Sequence, residues 1–208
     1  MGRLENFKQR GRNRATKKRN PFVVIACEGN NKTEEVYFKN FNSRKCIIRF
    51  STGNSTDPVG IVNDLLKFID NDIGREANDK YYVVLDTDVN QNKQNKIDEA
   101  KRIASENGVE FITSTPAFEF WYMLHFGFTT KTYNSSEEVQ ADVKNKISGY
   151  TKSMNTYPII KEHTKSAIKN AKNVEKHHLA LGQPIDNEKC NPYTGAYKVV
   201  EELIERNK

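Results

Sequence analysis

Two short stretches put acids where they could do chemistry. In PFVVIACEGNNKT an apolar run, Val23 to Cys27, stops abruptly at Glu28-Gly29, and in YYVVLDTD a second run stops at Asp86, with Asp88 two residues on. Runs of this kind read as strands buried on both faces. In an open parallel sheet the ligand crevice lies beyond the carboxyl ends of the strands. Glu28, Asp86 and Asp88 would therefore meet at one edge, where Gly29 lets the chain turn sharply. If the backbone stays extended past Asp86, Asp86 and Asp88 point to one side roughly 6.5 Å apart and Thr87 points away. Carboxylates crowded together are stable only with a cation between them or with a raised pKa. Oxygen donors alone suit Mg²⁺ or Mn²⁺ rather than zinc. A hard cation on two aspartates, with a third carboxylate to move a proton, is equipment for phosphodiester cleavage. The competing reading makes Glu28 a helix cap and the Asp-x-Asp pair ordinary loop chemistry.

A third acid and a row of cations stand further along. In STPAFEFWYMLHF, Thr115-Pro116 predicts a helix start, and Phe118, Phe120, Trp121, Met123, Leu124 and Phe126 leave hardly any polar face. A helix apolar all round is buried. Glu119 then sits in or near the core, where an unpaired carboxylate is costly. Its partner would be the metal, a lysine, or the N–H groups of the helix start. His125, alone among aromatics, reads as a hydrogen-bonded structural residue. A long amphipathic helix is predicted over 159–181, with Ile160, Ala167, Ile168, Ala171 and Val174 along one side. Lys161, Lys165, Lys169, Lys172 and Lys176 recur at spacings of four, four, three and four, which makes one ridge on another side. Such a ridge can contact successive phosphates or be a plain solvated face.

The elements that must position these residues alternate. Strands are expected at about 21–27, 45–51, 80–86 and 109–113, and helices at about 32–43, 57–73 and 92–107. Asp57-Pro58 is an N-cap followed by proline at the first helical position. The pattern is that of an α/β fold: a mostly parallel sheet of about four strands flanked by helices. From about 116 onward it turns helical, through a polar segment near 129–158 and a closing helix begun at Asn191-Pro192. The expected division is a basic flexible tail over 1–20, an α/β core over 21–128 and a helical extension over 129–208.

The 208 residues carry a net charge of +6, but residues 1–20 alone hold eight Lys/Arg, including Arg12, Lys17, Lys18 and Arg19, against one acid. The rest of the chain is close to neutral. The tail reads either as an arm along nucleic-acid phosphates or as a solubilising terminus. No apolar core of a secretory signal follows these charges, and no apolar run approaches the roughly 20 residues of a spanning helix. Three cysteines without Cys-x-x-Cys spacing fit a reducing cytoplasm, and no membrane role is expected.

Taken together, ACEGNNKTEEVYF, VVLDTD, STPAFEFWYMLHF, GYTK and NPYTGAYKVVEEL resemble the RloB-like family of bacterial abortive-infection proteins, over about residues 21–205. The acid-glycine pair after the first strand and the later Asp-x-Asp are similar to the TOPRIM fold of primases, topoisomerases and overcoming-lysogenization-type nucleases. The resemblance implies Glu28 as general acid/base, Asp86 and Asp88 as Mg²⁺ or Mn²⁺ ligands, and nuclease chemistry on DNA or RNA, transfer RNA included. Glu119 is a candidate further ligand, and Lys152 of GYTK a candidate to neutralise transition-state charge. Glu34 lies six residues beyond Glu28, unlike the closely following second acid of the overcoming-lysogenization type; with Lys32 and Thr33 it reads as a helix opener. The resemblance also offers a different class of function, a catalytically silent binding module that works with an ATPase partner. A nucleotide site is disfavoured, since EGNNKT is no glycine-rich phosphate loop. The oligomeric state stays open, a homodimer among the options.

Overall fold

The structure, a computed structural model, describes residues 19–28, 32–72, 74–88, 94–185 and 189–208. Strand β1 (Phe22–Cys27) leads through α1 (Lys32–Phe38) and a 3-10 turn to β2 (Ile47–Phe50), and α2 (Pro58–Asp70) returns the chain to β3 (Lys80–Asp86). Then come α3 (Gln94–Glu106), β4 (Glu110–Thr115) and the short α4 (Glu119–Met123). The C-terminal part holds α5 (Ser136–Lys146), α6 (Tyr157–Ile160), α7 (Thr164–Ala180), β5 (Tyr193–Thr194) and α8 (Ala196–Asn207).

The strands form one sheet in the order β2-β1-β3-β4-β5, parallel except for the antiparallel β5. Alternation along β1 explains its unbroken apolar run, because successive side chains serve opposite faces. Val23 and Ile25 join Tyr37, Phe118, Trp121, Ala167 and Leu203 in one core. Phe22, Val24 and Ala26 join Ile61, Leu65, Ile69 and Ala100 in the other, beneath α2 and α3. A sheet covered on both faces needs apolar residues at every strand position. The Asp57 cap is present: its side chain accepts from Gly60 N, with Pro58 first in α2.

Several boundaries differ from the sequence expectation. Thr115 ends β4 rather than opening a helix, and α4 begins only at Glu119. With α4 ending at Met123, Phe126 lies past the helix and is exposed, not buried. The helix expected over 159–181 starts at Thr164, after a 3-10 turn. Residues 193–194 pair with Ser114 and Thr115 of β4 as a fifth strand, so the last helix begins at Ala196, not at Asn191-Pro192. Backbone pairing across 80 residues took these positions from the helix that their local pattern suggested.

Of the tail cations singled out above, Arg12, Lys17 and Lys18 lie outside the described residues, and Arg19 is part of the fold. Its Nη1 donates to Asp79 Oδ1 at 2.9 Å, and its guanidinium stacks 3.6 Å from the Phe22 ring centroid. Asp79 is buried and also accepts from the backbone N–H of Phe22 and of Glu76, at 2.7 and 2.8 Å. Burial opposes its ionisation, but Arg19 and these N–H groups hold the carboxyl below its usual range. Asp79→Ala would strand a buried N–H at the start of β1 and leave the guanidinium without its partner. The expected loss is about 3 kcal/mol, read from urea unfolding as a lower midpoint at unchanged m. Among the described residues no helix is long and apolar enough to cross a membrane.

Candidate active site

After β1 the chain steps outward to β2 and then crosses back past β1 to β3, so the strand order reverses between β1 and β3. Crevices for ligands form at such switch points. Glu28 follows β1 directly and is half-buried; Asp86 is the last residue of β3, and Asp88 stands two beyond it. The extended backbone does not continue through Asp88, as its φ of 41° is left-handed, a conformation that Asp tolerates better than most residues. The straight-strand geometry behind the expected 6.5 Å same-side pair therefore does not hold at Asp88. Thr87 does point away, its hydroxyl 2.7 Å from that of Thr115 on β4.

Two more acids come from helices above this edge. Glu34, in the first turn of α1, is fully buried, and Glu119, the first residue of α4, is 2 % exposed. The Glu34 carboxyl is pushed up to about 8, by burial first and then by Glu119 and Glu28, against its own backbone N–H and Lys152, which pull the other way. The Asp86 carboxyl is driven well above its ordinary range by burial first and then by Glu34, Glu119, Asp88 and Glu28. Four other carboxylates thus bear on Asp86 at this edge, and two of them on Glu34. Asp86 Oδ1 is buried there without a hydrogen-bond partner among the described residues.

The Gly149–Lys152 loop closes the crevice from the far part of the chain. Gly149 has a φ of 72° and nothing within 4 Å of where a Cβ would lie, so conformation alone calls for glycine there. The turn sends Tyr150 inward, where its hydroxyl donates to Glu119 Oε1 at 2.9 Å. Thr33 of α1 donates to the carbonyl of Lys152 at 3.0 Å, tying the loop to the helix that bears Glu34. Burial raises the Glu119 carboxyl; its backbone N–H, Tyr150 and Lys152 lower it again. The Lys152 side chain is exposed at the rim and bears on both Glu34 and Glu119.

The structure brings the expected Glu28, Asp86, Asp88, Glu119 and Lys152 together, and adds Glu34, which the sequence presented only as a helix opener, and Tyr150, which it did not single out. A signal for Glu34 exists: it precedes Tyr37 and Phe38, both fully buried, by three and four residues, and so shares their face of α1. The lysines of α7 are elsewhere. Lys165, Lys169 and Lys176 are exposed on its outer face, Lys161 lies in the preceding 3-10 turn, and Lys172 is paired to Glu201 of α8 at 2.6 Å. His125 is buried, its Nδ1 2.9 Å from the carbonyl of Trp121, as expected of a structural histidine.

The family model described as RloB-like protein matches residues 23–203. The chain belongs to the RloB-like family. Neither a curated protein nor a solved structure matches it. The matched span of this RloB-like chain runs from β1 into α8, so every crevice residue named above falls inside it.

As the side chains stand, no group of three or more His, Cys, Asp or Glu among the described residues is arranged to hold a metal ion. The chemistry of the crevice fits one all the same. Its carboxylates offer hard oxygen donors whose charges repel, and the buried Asp86 Oδ1 has no hydrogen bond to lose among the described residues. The Cys27 thiol beside them is pushed up by burial first and then by Glu34, Glu35 and Asp86, which keeps it protonated. A separate surface cavity of about 490 Å³ lies between β2 and α2, but its acids Asp64 and Asp72 are already paired with Lys67 and Arg49.

Proposed function

We propose that this RloB-like protein is a Mg²⁺- or Mn²⁺-dependent nuclease of the TOPRIM type. The observation that carries the reading is the convergence of Glu28, Glu34, Asp86, Asp88 and Glu119 at the switch point of a parallel sheet, with a buried, unbonded oxygen on Asp86. Asp86 and Asp88 would hold the cation, with Glu28 and Glu119 as further oxygen donors. When bound, it would supply Lewis-acid polarisation of a phosphoryl oxygen and a more acidic water.

The chain's own residues do the rest. Glu28, half-buried just after β1, would take a proton from an attacking water or return one to a leaving oxygen. Lys152 offers its ammonium to negative charge that builds on the phosphoryl oxygens. Tyr150 holds Glu119 by its Oε1 and so fixes the direction of the other carboxylate oxygen. Lysines of α7, with Arg12, Lys17 and Lys18 of the N-terminal segment, would engage the substrate backbone. The family resemblance supports a role in abortive infection, with transfer RNA among the targets and an ATPase as a working partner.

The test is cleavage of plasmid, single-stranded DNA and total transfer RNA by the purified protein in Mg²⁺ or Mn²⁺. Glu28→Gln is expected to lose at least about a hundredfold in rate, and EDTA to stop the wild type. Full cleavage by folded Glu28→Gln would sink the assignment. A wild type that binds Mn²⁺ yet cleaves nothing alone would favour the silent module that acts through a partner.

A further inference from the structure

The turn after α4 and the outer face of α7 form a surface of a second kind. Phe126 is 39 % exposed and Phe128 52 % exposed, in a chain that buries most of its other large aromatics. Asn170 of α7 donates to the carbonyl of Leu124 at 2.9 Å, which fastens the start of this aromatic loop to α7 next to Lys169. Lys165, Lys169 and Lys176 face outward on that helix, and none of them pairs with an acid among the described residues. Glu175, the acid within α7 nearest this row, is turned away to Tyr193, Tyr197 and Lys198. The loop is also close to the crevice: from Glu119 to Leu124 is five residues, about 7.5 Å of helix.

We infer that this surface binds single-stranded nucleic acid, with Lys165, Lys169 and Lys176 on phosphates and Phe126 and Phe128 stacked against bases. The inference takes its ligand class from the nuclease reading and adds to it the strandedness of the substrate. The lysines are about 6 Å and 10.5 Å apart along the helix axis, steps suited to one and two phosphates of an extended strand. A duplex would offer them phosphates too, but its bases face inward, and two exposed phenyl rings would then meet nothing. Unpaired bases give every ring a flat partner, without regard to sequence. An anionic membrane would also answer lysines and phenyls, but the five-carboxylate crevice one short helix away would repel it, whereas a single strand can run from the lysines toward a cation there.

Binding is measured in EDTA, where cleavage plays no part, by fluorescence anisotropy with labelled 20-nucleotide DNA and RNA strands and the matching duplexes. The single strands are expected to bind tenfold or more tightly than the duplexes. Phe126→Ser with Phe128→Ser should weaken single-strand binding about tenfold or more. Lys165→Gln with Lys169→Gln and Lys176→Gln should flatten the dependence of log affinity on log salt by about 2. Equal affinity for duplex, or phenylalanine variants that bind like wild type, would overturn the inference. So would a dimer in sedimentation that Phe126→Ser dissociates, since a second copy would then be the occupant. Cleavage without any single-strand preference removes this inference alone, and single-strand binding by a protein that never cleaves removes only the nuclease reading.

Discussion

Asp86→Asn should make the protein more stable in a chelating buffer at pH 8 while removing at least about a thousandfold of the proposed cleavage activity. The stabilisation follows from repulsion: Glu34, Glu119, Asp88 and Glu28 all act on the Asp86 carboxyl, and its Oδ1 is buried away from water. An asparagine of the same shape carries no charge, and its amide can donate to the neighbouring carboxylates. One unit of pKa displacement corresponds to about 1.4 kcal/mol, so a gain of roughly 1–2 kcal/mol is a cautious expectation, or some 2–8 °C in a chain of this size. The sign can be checked against pH. A carboxyl whose folded pKa is raised costs stability above its unfolded value of 3.8, increasingly as pH climbs toward the folded pKa. The advantage of the variant should therefore be greatest at high pH and close as pH falls toward 4. Added Mn²⁺ should reverse the ranking, since a ligand at a hundred times its Kd adds about 2.7 kcal/mol to the protein that binds it. The loss of cleavage follows from losing a charged donor, worth several kcal/mol of barrier. Differential scanning fluorimetry in EDTA and in Mn²⁺ decides the matter. A variant less stable than wild type in EDTA would mean that the crevice acids are not in conflict.

Acid should act through a different residue, His125. It is 3 % exposed beneath the aromatic cluster, and its ring packs edge-on against Trp121 at 4.8 Å. Burial lowers its pKa from 6.5 to about 4, with His163 pushing the same way and the carbonyls of Trp121 and Tyr122 opposing. The unfolded chain takes up a proton below pH 6.5 and the folded one only near pH 4, so stability drains away across that window. The full effect is about 3 kcal/mol. The crevice carboxylates respond in the opposite sense, so the quantity to measure is the stability of wild type minus that of His125→Asn, at pH 7 and at pH 4. Asparagine keeps a donor for the Trp121 carbonyl and has no proton to gain. The difference should shrink by about 3 kcal/mol on acidification; a pH-independent difference would show that His125 does not titrate in this range.

Much of this protein could be read from sequence because the signals were local. Apolar runs place β1 to β4 within a residue or two, and those of β1 and β3 are the most continuous because strands covered on both faces leave little room for a polar side chain. Asp57-Pro58 marks the start of α2 because the cap and the fixed φ both act within one turn. Glu28, Asp86 and Asp88 were found because strand ends can be read from the same runs, and in a parallel sheet those ends share one edge.

Other features depended on partners distant in sequence. Tyr150 reaches Glu119 over 31 residues, Thr33 reaches the Lys152 carbonyl over 119, and Ser114 bonds Thr194 over 80. Glu34 looked like a helix opener because its first-turn position already accounts for an acid, whereas its burial comes from the α4 and Gly149–Lys152 segments packing over it. Phe126 looked like core because periodicity cannot tell that α4 stops at Met123. Arg19 looked like one more tail cation until Asp79, 60 residues on, claimed it. The sequence by itself determined the alternation of elements and the row of acids at the sheet edge, since both follow from periodicities of two and 3.6 residues. Only the tertiary structure decided which buried charges face one another and which aromatics stay in water, because those choices rest on packing between segments that no local pattern connects.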